Sequence, residues 1–190
     1  MKPRHLVIIG SSAGGPRILK ELFSNIPRLK AGMVLVQHMP AFVNAPLTQS
    51  LNQVTGMNVM LASDGDVINE GTVHVIPSGL HCEIEQNQII RLRGSEKVNF
   101  VCPAVDVTMK SIQSQRHLNL TGVILTGMGK DGAKGIAYMK SIGAQTLAQD
   151  EHTSIIYGMP QEAAKTGQID FILPTNKIAE KLVEILPHWH

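Results

Sequence analysis

Short apolar runs alternate along the first forty residues with a segment whose apolar side chains recur at helical spacing. Residues 5–10 (HLVIIG) and 32–37 (GMVLVQ) are continuous apolar runs, which are typical of strands buried on both faces of a sheet. Residues 16–25 begin with a proline, which suits a first helical turn, and carry four apolar side chains on one helical face: Ile18, Leu19, Leu22 and Phe23. This order predicts a strand–helix–strand unit with parallel strands.

The same alternation continues to the C-terminus, with one interruption. It predicts helices at 44–53, 104–116, 160–167 and 175–186, a helix that ends at Gly143, and strands within 121–129, 144–149 and 170–174. Residues 57–93 interrupt it, because four short apolar runs separated by DGD, NEG, PSG and QNQ are typical of antiparallel hairpins. The whole pattern predicts an α/β fold: a doubly wound, mostly parallel sheet flanked by helices, with a small antiparallel hairpin region around 57–93.

Composition narrows the class of protein. Apolar residues make up 43% of the 190 residues and charged residues 17%, which is enough apolar material for a core, and we expect residues 1–190 to form a single domain. The formal net charge is +2 without a run of five basic residues, which argues against nucleic acid as a partner. The N-terminal apolar run is too short for a signal peptide or a membrane span, and Cys82 and Cys102 form no CxxC pair. We therefore expect a cytoplasmic monomer that does not insert into membranes.

The loop after the first predicted strand contains a serine motif. Residues 10–14 (GSSAG) fit G-x-S-x-G between a strand and a helix, at the strand end where open α/β sheets bind ligands. The register favours Ser12 over Ser11 as an exposed nucleophile, and the N-terminus of the following helix favours a negatively charged oxygen. Two other interpretations stay open at this point: a glycine-rich turn with a serine cap, and a phosphate-binding loop, although the G-x-G-x-x-G and G-K-[ST] patterns are absent.

Two further side chains could complete a hydrolytic site. His38 follows the second predicted strand, which should lie beside the first, so it could act as general base for a serine. Asp131 follows the strand within 121–129 and could orient the imidazole. Either residue could equally serve a loop: the histidine as a hydrogen-bonded side chain, the aspartate as a turn or helix cap. Spacing alone does not choose among the candidate aspartates, which also include Asp64, Asp66 and Asp150.

The motifs together resemble the catalytic domain of the bacterial chemotaxis protein-glutamate methylesterase family (CheB): IGSSAGGP, VLVQHMP, DVTMKS, GVILTGMGKDGAKG and TLAQDE…YGMPQEA. The resemblance implies a catalytic triad of Ser12, His38 and Asp131, with the backbone N–H of Met128 helping to hold the oxyanion. It implies hydrolysis of glutamate γ-methyl esters on the cytoplasmic helices of methyl-accepting chemoreceptors through an acyl-enzyme, and deamidation of receptor glutamines by the same route. It implies no metal and no organic cofactor.

Three departures from the family pattern keep other functions open. Family members carry an N-terminal receiver domain, and we expect none in residues 1–190. Ala13 stands where a threonine is common, so a hydroxyl that could support the nucleophile's loop is missing. Phe100, Val101 and Cys102 replace residues that are often basic. The alternatives are a non-catalytic receptor- or partner-binding module with the same fold, and an esterase for a different substrate.

Overall fold

The structure is a computed structural model that describes residues 1–94 and 96–189. Within these residues, seven parallel strands form the main sheet in the order β3-β4-β2-β1-β7-β8-β9, and β5 pairs with β6 in a separate antiparallel sheet. The strands are β1 (His5–Ser11), β2 (Gly32–Gln37), β3 (Asn58–Leu61), β4 (Thr72–Val75), β5 (His81–Glu85), β6 (Ile89–Arg93), β7 (Asn119–Ile124), β8 (Gln145–Gln149) and β9 (Phe171–Leu173). The helices are α1 (Gly15–Ser24), α2 (Asn44–Asn52), α3 (Val105–Ser111), α4 (Ala133–Ser141), α5 (Met159–Lys165) and α6 (Thr175–Ile185). The predicted fold class is confirmed.

Helices cover both faces of the main sheet, which explains why its central strands are apolar throughout. Val7 and Ile9 of β1 pack in one core with side chains of α1, α2 and α6. Leu6 and Ile8 point to the other face and pack with α3, α4, α5 and the β5–β6 hairpin. Because every residue of β2 is buried, period-two alternation could not appear in its sequence.

Two sequence expectations need correction. The hairpin expected over 57–93 is confirmed only for β5 and β6, since β3 and β4 pair in parallel with each other and β4 pairs in parallel with β2. The connections between these short strands carry the same turn residues as hairpins, so their sequence does not distinguish the two arrangements. The helix expected at 104–116 ends at Ser111, where the chain leaves the helix at Ile112 with extended backbone angles.

The strand order places a switch point beside β1. Strands after β1 are added first on its β2 side and then on its β7 side, so the connections leaving β1 and β7 diverge. Ligands of such sheets bind at this position, at the carboxyl ends of the strands. Gly10 lets α3 approach the same place, because a Cβ there would lie 2.6 Å from Cγ1 of Val105. No helix in the described part of the chain is long and apolar enough to cross a membrane.

Candidate active site

Ser12 lies in the tight turn between β1 and α1. Its amide donates to the carbonyl oxygen of Thr126 at 2.9 Å, which fixes the turn to the end of β7, and its carbonyl accepts from the amide of Gly15 at 2.8 Å. Gly14 has a φ of +80°, the left-handed conformation that glycine adopts without strain. The turn leaves the side chain of Ser12 half-buried at the carboxyl end of the sheet.

Gln37 separates the roles of the two adjacent serines. Ser11 is fully buried, and its hydroxyl donates to Oε1 of Gln37 at 2.5 Å. The Gln37 amide nitrogen donates to the carbonyl oxygens of Ser12 and His38, both at 2.8 Å. Gly15 must remain without a side chain, because a Cβ would overlap the Gln37 carboxamide. Ser11 therefore serves the structure of the turn, whereas the Ser12 hydroxyl has no hydrogen-bond partner within the described residues.

His38 lies directly beside the serine turn. Ser11 and Gln37 are paired in the β1–β2 register, and the amide of His38 donates to the carbonyl of Ser11 at 3.1 Å. Nε2 of His38 lies 2.7 Å from Oδ2 of Asp131, and the two side chains are 9% and 3% exposed. Nδ1 of His38 is buried and has no hydrogen-bond partner within the described residues. The ring nitrogen that remains available to Ser12 is therefore Nδ1, although among the described residues no hydrogen bond joins the Ser12 and His38 side chains.

Four donors hold the Asp131 carboxylate. Oδ2 accepts from His38 and from the Val105 amide at 2.7 Å, while Oδ1 accepts from Nδ2 of Asn99 at 2.9 Å and from the Asp106 amide at 3.1 Å. Burial on its own raises the pKa of Asp131, but the hydrogen bonds from His38 and the two backbone amides bring that pKa below its ordinary value. The group is therefore ionised at neutral pH and presents its charge to His38.

A second buried carboxylate, Asp106, lies next to Asp131. Its Oδ1 accepts from the amides of Gly132 and Gly135 at the start of α4, at 3.0 and 2.6 Å, and its Oδ2 accepts from Nδ2 of Asn99 at 2.9 Å. The hydrogen bonds between the two helices are therefore reciprocal. Amides at the start of α3 donate to Asp131, and amides at the start of α4 donate to Asp106 of α3. These reciprocal bonds fix the loop that carries Asp131 relative to the rest of the sheet.

The chain around Gly127 brings the Met128 backbone to the nucleophile. A Cβ on Gly127 would lie 2.8 Å from Cβ of Ser12, so the two residues are in contact. The Gly127 carbonyl accepts from the amides of Gly158 and Met159 at 3.0 and 2.8 Å. Across residues 1–94 and 96–189, nothing accepts a hydrogen bond from the Met128 amide, and its side chain is 75% exposed. That amide is available to a ligand oxygen.

Thr126 supplies a hydroxyl to the serine turn, in which Ala13 has none. Its hydroxyl donates to the carbonyl oxygen of Ala13 at 3.0 Å and accepts from the amide of Ile156 at 2.9 Å. The serine turn is therefore supported by a hydroxyl from the end of β7, although residue 13 itself has none. The hydroxyl is absent at Ala13, as the sequence shows, and the segment after β7 supplies one to the same turn.

A groove of about 450 Å³ begins where the Met128 segment ends. It is lined by Asn99, Phe100, Gly129, Lys130, Gly158 and Glu162. Phe100 is 91% exposed at this groove. The groove therefore has an aromatic side chain that a macromolecular ligand could contact.

The other candidate aspartates accept hydrogen bonds from groups other than His38. Asp64 accepts from the Leu92 amide, Asp66 from the Ser63 amide and Asp150 from Thr153. The distance to His38 therefore selects Asp131, which the spacing could not. No group of three potential metal ligands occurs among the residues that the structure describes.

Sequence reasoning missed three supporting residues. Gln37 was visible as a polar residue that closes an apolar strand, and Asp106 lies in the quoted motif DVTMKS. Asn99 lies in VNFVCP and carries no signal by itself. All three act through contacts between segments far apart in the chain, which a local pattern does not contain.

Comparisons with known proteins agree on one family. The CheB methylesterase family model matches residues 7–182. Proteins named protein-glutamate methylesterase/protein-glutamine glutaminase from Sulfurimonas denitrificans and Pyrococcus horikoshii are 41% and 40% identical, each over 95% of this chain and 52% and 50% of their own length. The crystal structure of the Thermotoga maritima CheB methylesterase catalytic domain superposes with a TM-score of 0.87 at 37% identity, over 95% of this chain and 97% of that one. The chain spans about half the length of the curated relatives it matches.

Proposed function

The chain belongs to the CheB methylesterase family, and from that premise we propose that it hydrolyses glutamate γ-methyl esters of chemoreceptors. Ser12 is the nucleophile, His38 the general base and Asp131 the residue that orients His38. One observation carries the proposal: Asp131 holds His38 through Nε2, while the buried Nδ1 of His38, at the carboxyl ends of the strands beside the Ser12 turn, has no partner among residues 1–94 and 96–189. All three residues come from one chain, so the proposed triad can form within a monomer and within a single domain.

The geometry supports an acyl-enzyme route. The Ser12 hydroxyl oxygen attacks the ester carbonyl carbon while Nδ1 of His38 takes the hydroxyl proton. Asp131 stabilises the imidazolium that forms, and the Met128 amide donates to the oxygen that becomes negatively charged. The tetrahedral intermediate then breaks its bond to the methoxy oxygen, which receives the proton from His38 and leaves as methanol.

Water completes the cycle by the same groups. His38 takes a proton from water as the water oxygen attacks the acyl carbon, and Ser12 leaves with that proton, which yields the free glutamate side chain. A glutamine side chain follows the same path with ammonia in place of methanol, which would give the glutaminase activity named for the relatives. The partners are the cytoplasmic helices of methyl-accepting chemoreceptors, and the protein would act in the cytoplasm. The exposed Phe100 groove is where residues flanking the target side chain would bind.

Release of labelled methanol tests the proposal. Membranes that contain chemoreceptors with tritiated methyl esters are incubated with the wild type, Ser12→Ala or Ser11→Ala, and volatile tritium is counted. We expect release by the wild type, background release by Ser12→Ala and a far smaller loss in Ser11→Ala, because the Ser11 hydroxyl is buried against Gln37. Circular dichroism establishes that each variant is folded.

Each other outcome has a definite meaning. If folded Ser12→Ala released volatile tritium as fast as the wild type, the assignment of the nucleophile would be overturned. Cleavage of small esters such as p-nitrophenyl acetate without release from receptors would indicate an esterase for another substrate. Receptor binding without cleavage of either substrate would indicate a binding module.

A further inference from the structure

Asn99 occupies an unusual position in a tight turn. The amide of Val98 donates to the carbonyl of Val101 at 3.0 Å, and the amide of Val101 donates to the carbonyl of Val98 at 3.1 Å. The two residues between them, Asn99 and Phe100, have φ values of +52° and +65°. Asparagine tolerates this conformation better than most residues, so the first turn position suits it. Phe100 is solvent-exposed, whereas Asn99 is half-buried.

The side-chain amide of Asn99 bridges two buried carboxylates. Its Nδ2 donates to Oδ1 of Asp131 and to Oδ2 of Asp106, both at 2.9 Å. The amide group has two hydrogens, so it can satisfy both acceptors at once. Each aspartate residue is 3% exposed, so solvent does little to screen one from the other.

The two carboxylates differ in what remains without Asn99. Oδ1 of Asp131 keeps the amide of Asp106, whereas Oδ2 of Asp106 has no second donor among the described residues. Removal of the bridge takes one donor from each of the two neighbouring carboxyl groups, so nothing links them and the Asp131 carboxylate loses a hydrogen bond that favours its ionised form. Either change alters the carboxylate that holds His38.

We propose that Asn99 is a positioning residue of this site: its amide links Asp131 to Asp106 and keeps the Asp131 carboxylate aligned with Nε2 of His38. The catalytic consequence rests on the proposed function, whereas the effect on Asp131 does not. Asn99 acts through Asp131 and not through contact with the reacting atoms.

Asn99→Gly isolates the side chain, because glycine keeps the left-handed backbone of the turn. We expect kcat for methyl-ester hydrolysis to fall about 10- to 100-fold, the range for loss of one hydrogen bond to a charged group, with KM changed less than about threefold.

Asn87→Gly is the matched control. Asn87 also has a positive φ, of 64°, but lies between β5 and β6, where its side chain accepts from Lys2. We expect kcat, KM and the pH profile of Asn87→Gly to equal those of the wild type. A loss of kcat in Asn87→Gly equal to that in Asn99→Gly would attribute the effect to the turn backbone and overturn the proposal.

A titration that needs no substrate tests the positioning role of Asn99 independently of the proposed function. The carboxyl carbon of Asp131 is followed by ¹³C NMR from pH 7 to pH 2 in the wild type and Asn99→Gly, with Asp131→Asn identifying the signal. We expect a higher Asp131 pKa in Asn99→Gly, whether or not the protein cleaves receptor esters. An unchanged titration with an unchanged kcat would overturn the positioning role, and a rise in KM alone would make Asn99 a substrate contact instead.

Discussion

The acid side and the nucleophile side of the site hold their functional groups differently. Asp131 is 3% exposed and accepts four hydrogen bonds, three of them from groups other than the histidine. The Ser12 backbone is held by two backbone bonds and by Gln37, but its hydroxyl forms no hydrogen bond within the described residues. Nδ1 of His38, between the two sides, is likewise unpartnered there.

The difference indicates which side is preorganised. A buried polar nitrogen without a partner costs stability, and a role in the reaction is one explanation for such a group. Here the unpartnered nitrogen belongs to the histidine that lies beside the serine turn, whereas each oxygen of the Asp131 carboxylate has two donors among the described residues. In the proposed triad, the acid side is therefore complete before substrate arrives, and the nucleophile side retains its hydrogen-bonding capacity for the reaction.

Asp131→Asn should produce the largest effect, because it removes the charge that the acid side is built to hold. We expect kcat to fall about 10³- to 10⁴-fold, by analogy with other serine triads that lose the acid. An amide at this position also meets the Asn99 amide and two backbone amides with fewer acceptor sites. The measurement is single-turnover methyl-ester hydrolysis; a loss below about tenfold would contradict a catalytic acid side.

The same variant, Asp131→Asn, tests the direction of the Asp131 pKa shift through the pH dependence of stability. The pKa of Asp131 is lowered in the folded state, so its ionised form stabilises the fold above the unfolded value of about 3.9, and this contribution is lost as pH falls through the lower folded value. The difference in free energy of unfolding between wild type and Asp131→Asn should be constant above about pH 5 and shrink on further acidification. Urea denaturation from pH 7 to pH 3 measures it, and a pH-independent difference would contradict the lowered pKa.

Gly15→Ala should disturb the nucleophile side by a smaller amount. The new methyl group overlaps the Gln37 carboxamide, which joins the Ser12 and His38 carbonyls. We expect a loss of about 1–3 kcal/mol in the free energy of unfolding, as for other overpacked sites, and a lower kcat. Urea denaturation and ester hydrolysis measure the two effects.

Gly94→Ala is the control for that substitution. Among the described residues, a Cβ on Gly94 would meet only the Leu80 side chain, at 3.8 Å, which is ordinary van der Waals contact. We expect its stability and activity to stay near wild type. Equal losses of stability and activity in Gly15→Ala and Gly94→Ala would show that the contact with Gln37 does not cause the loss.

The sequence predicted the parts of the site that depend on a local pattern of apolar and polar residues. Apolar runs located β1 and β2, and the rule that ligands bind at carboxyl strand ends pointed to Ser12 and His38. The choice of Asp131 came from family resemblance, and its geometry agrees, since only the fold shows that it meets a histidine 93 positions away. The parallel pairing of β3 and β4 was missed, because short strands with polar connections occur in both arrangements.

The supporting groups could not be predicted for a related reason. Gln37, Asn99 and Asp106 each satisfy donors or acceptors on segments distant in the chain. Whether a polar residue bridges such segments depends on helix placement to within an ångström, and spacing in sequence does not encode that. Thr126, which supports the serine turn in spite of Ala13, is a further case.

Phe100→Gly should have the smallest effect and the opposite sign on stability. Phe100 has a φ of +65° and is 91% exposed, so its side chain gains little packing while its backbone lies in a region unfavourable for residues with a Cβ. Glycine relieves roughly 1–2 kcal/mol of that strain and costs about 0.5–1 kcal/mol in chain entropy, so we expect a gain of up to about 1 kcal/mol in the free energy of unfolding. Urea denaturation measures the gain.

Phe42→Gly provides the matched comparison for this last prediction. Phe42 is also a strongly exposed phenylalanine, at 81%, but it lies in a short 3₁₀ helix (Ala41–Val43) and has no positive φ. Glycine should therefore destabilise the protein there, by about 0.5–1 kcal/mol. If Phe100→Gly stabilises the fold and also raises KM for methylated receptors, the strain at Phe100 serves the groove and not the fold. A loss of stability in both variants would remove the argument that Phe100 is strained.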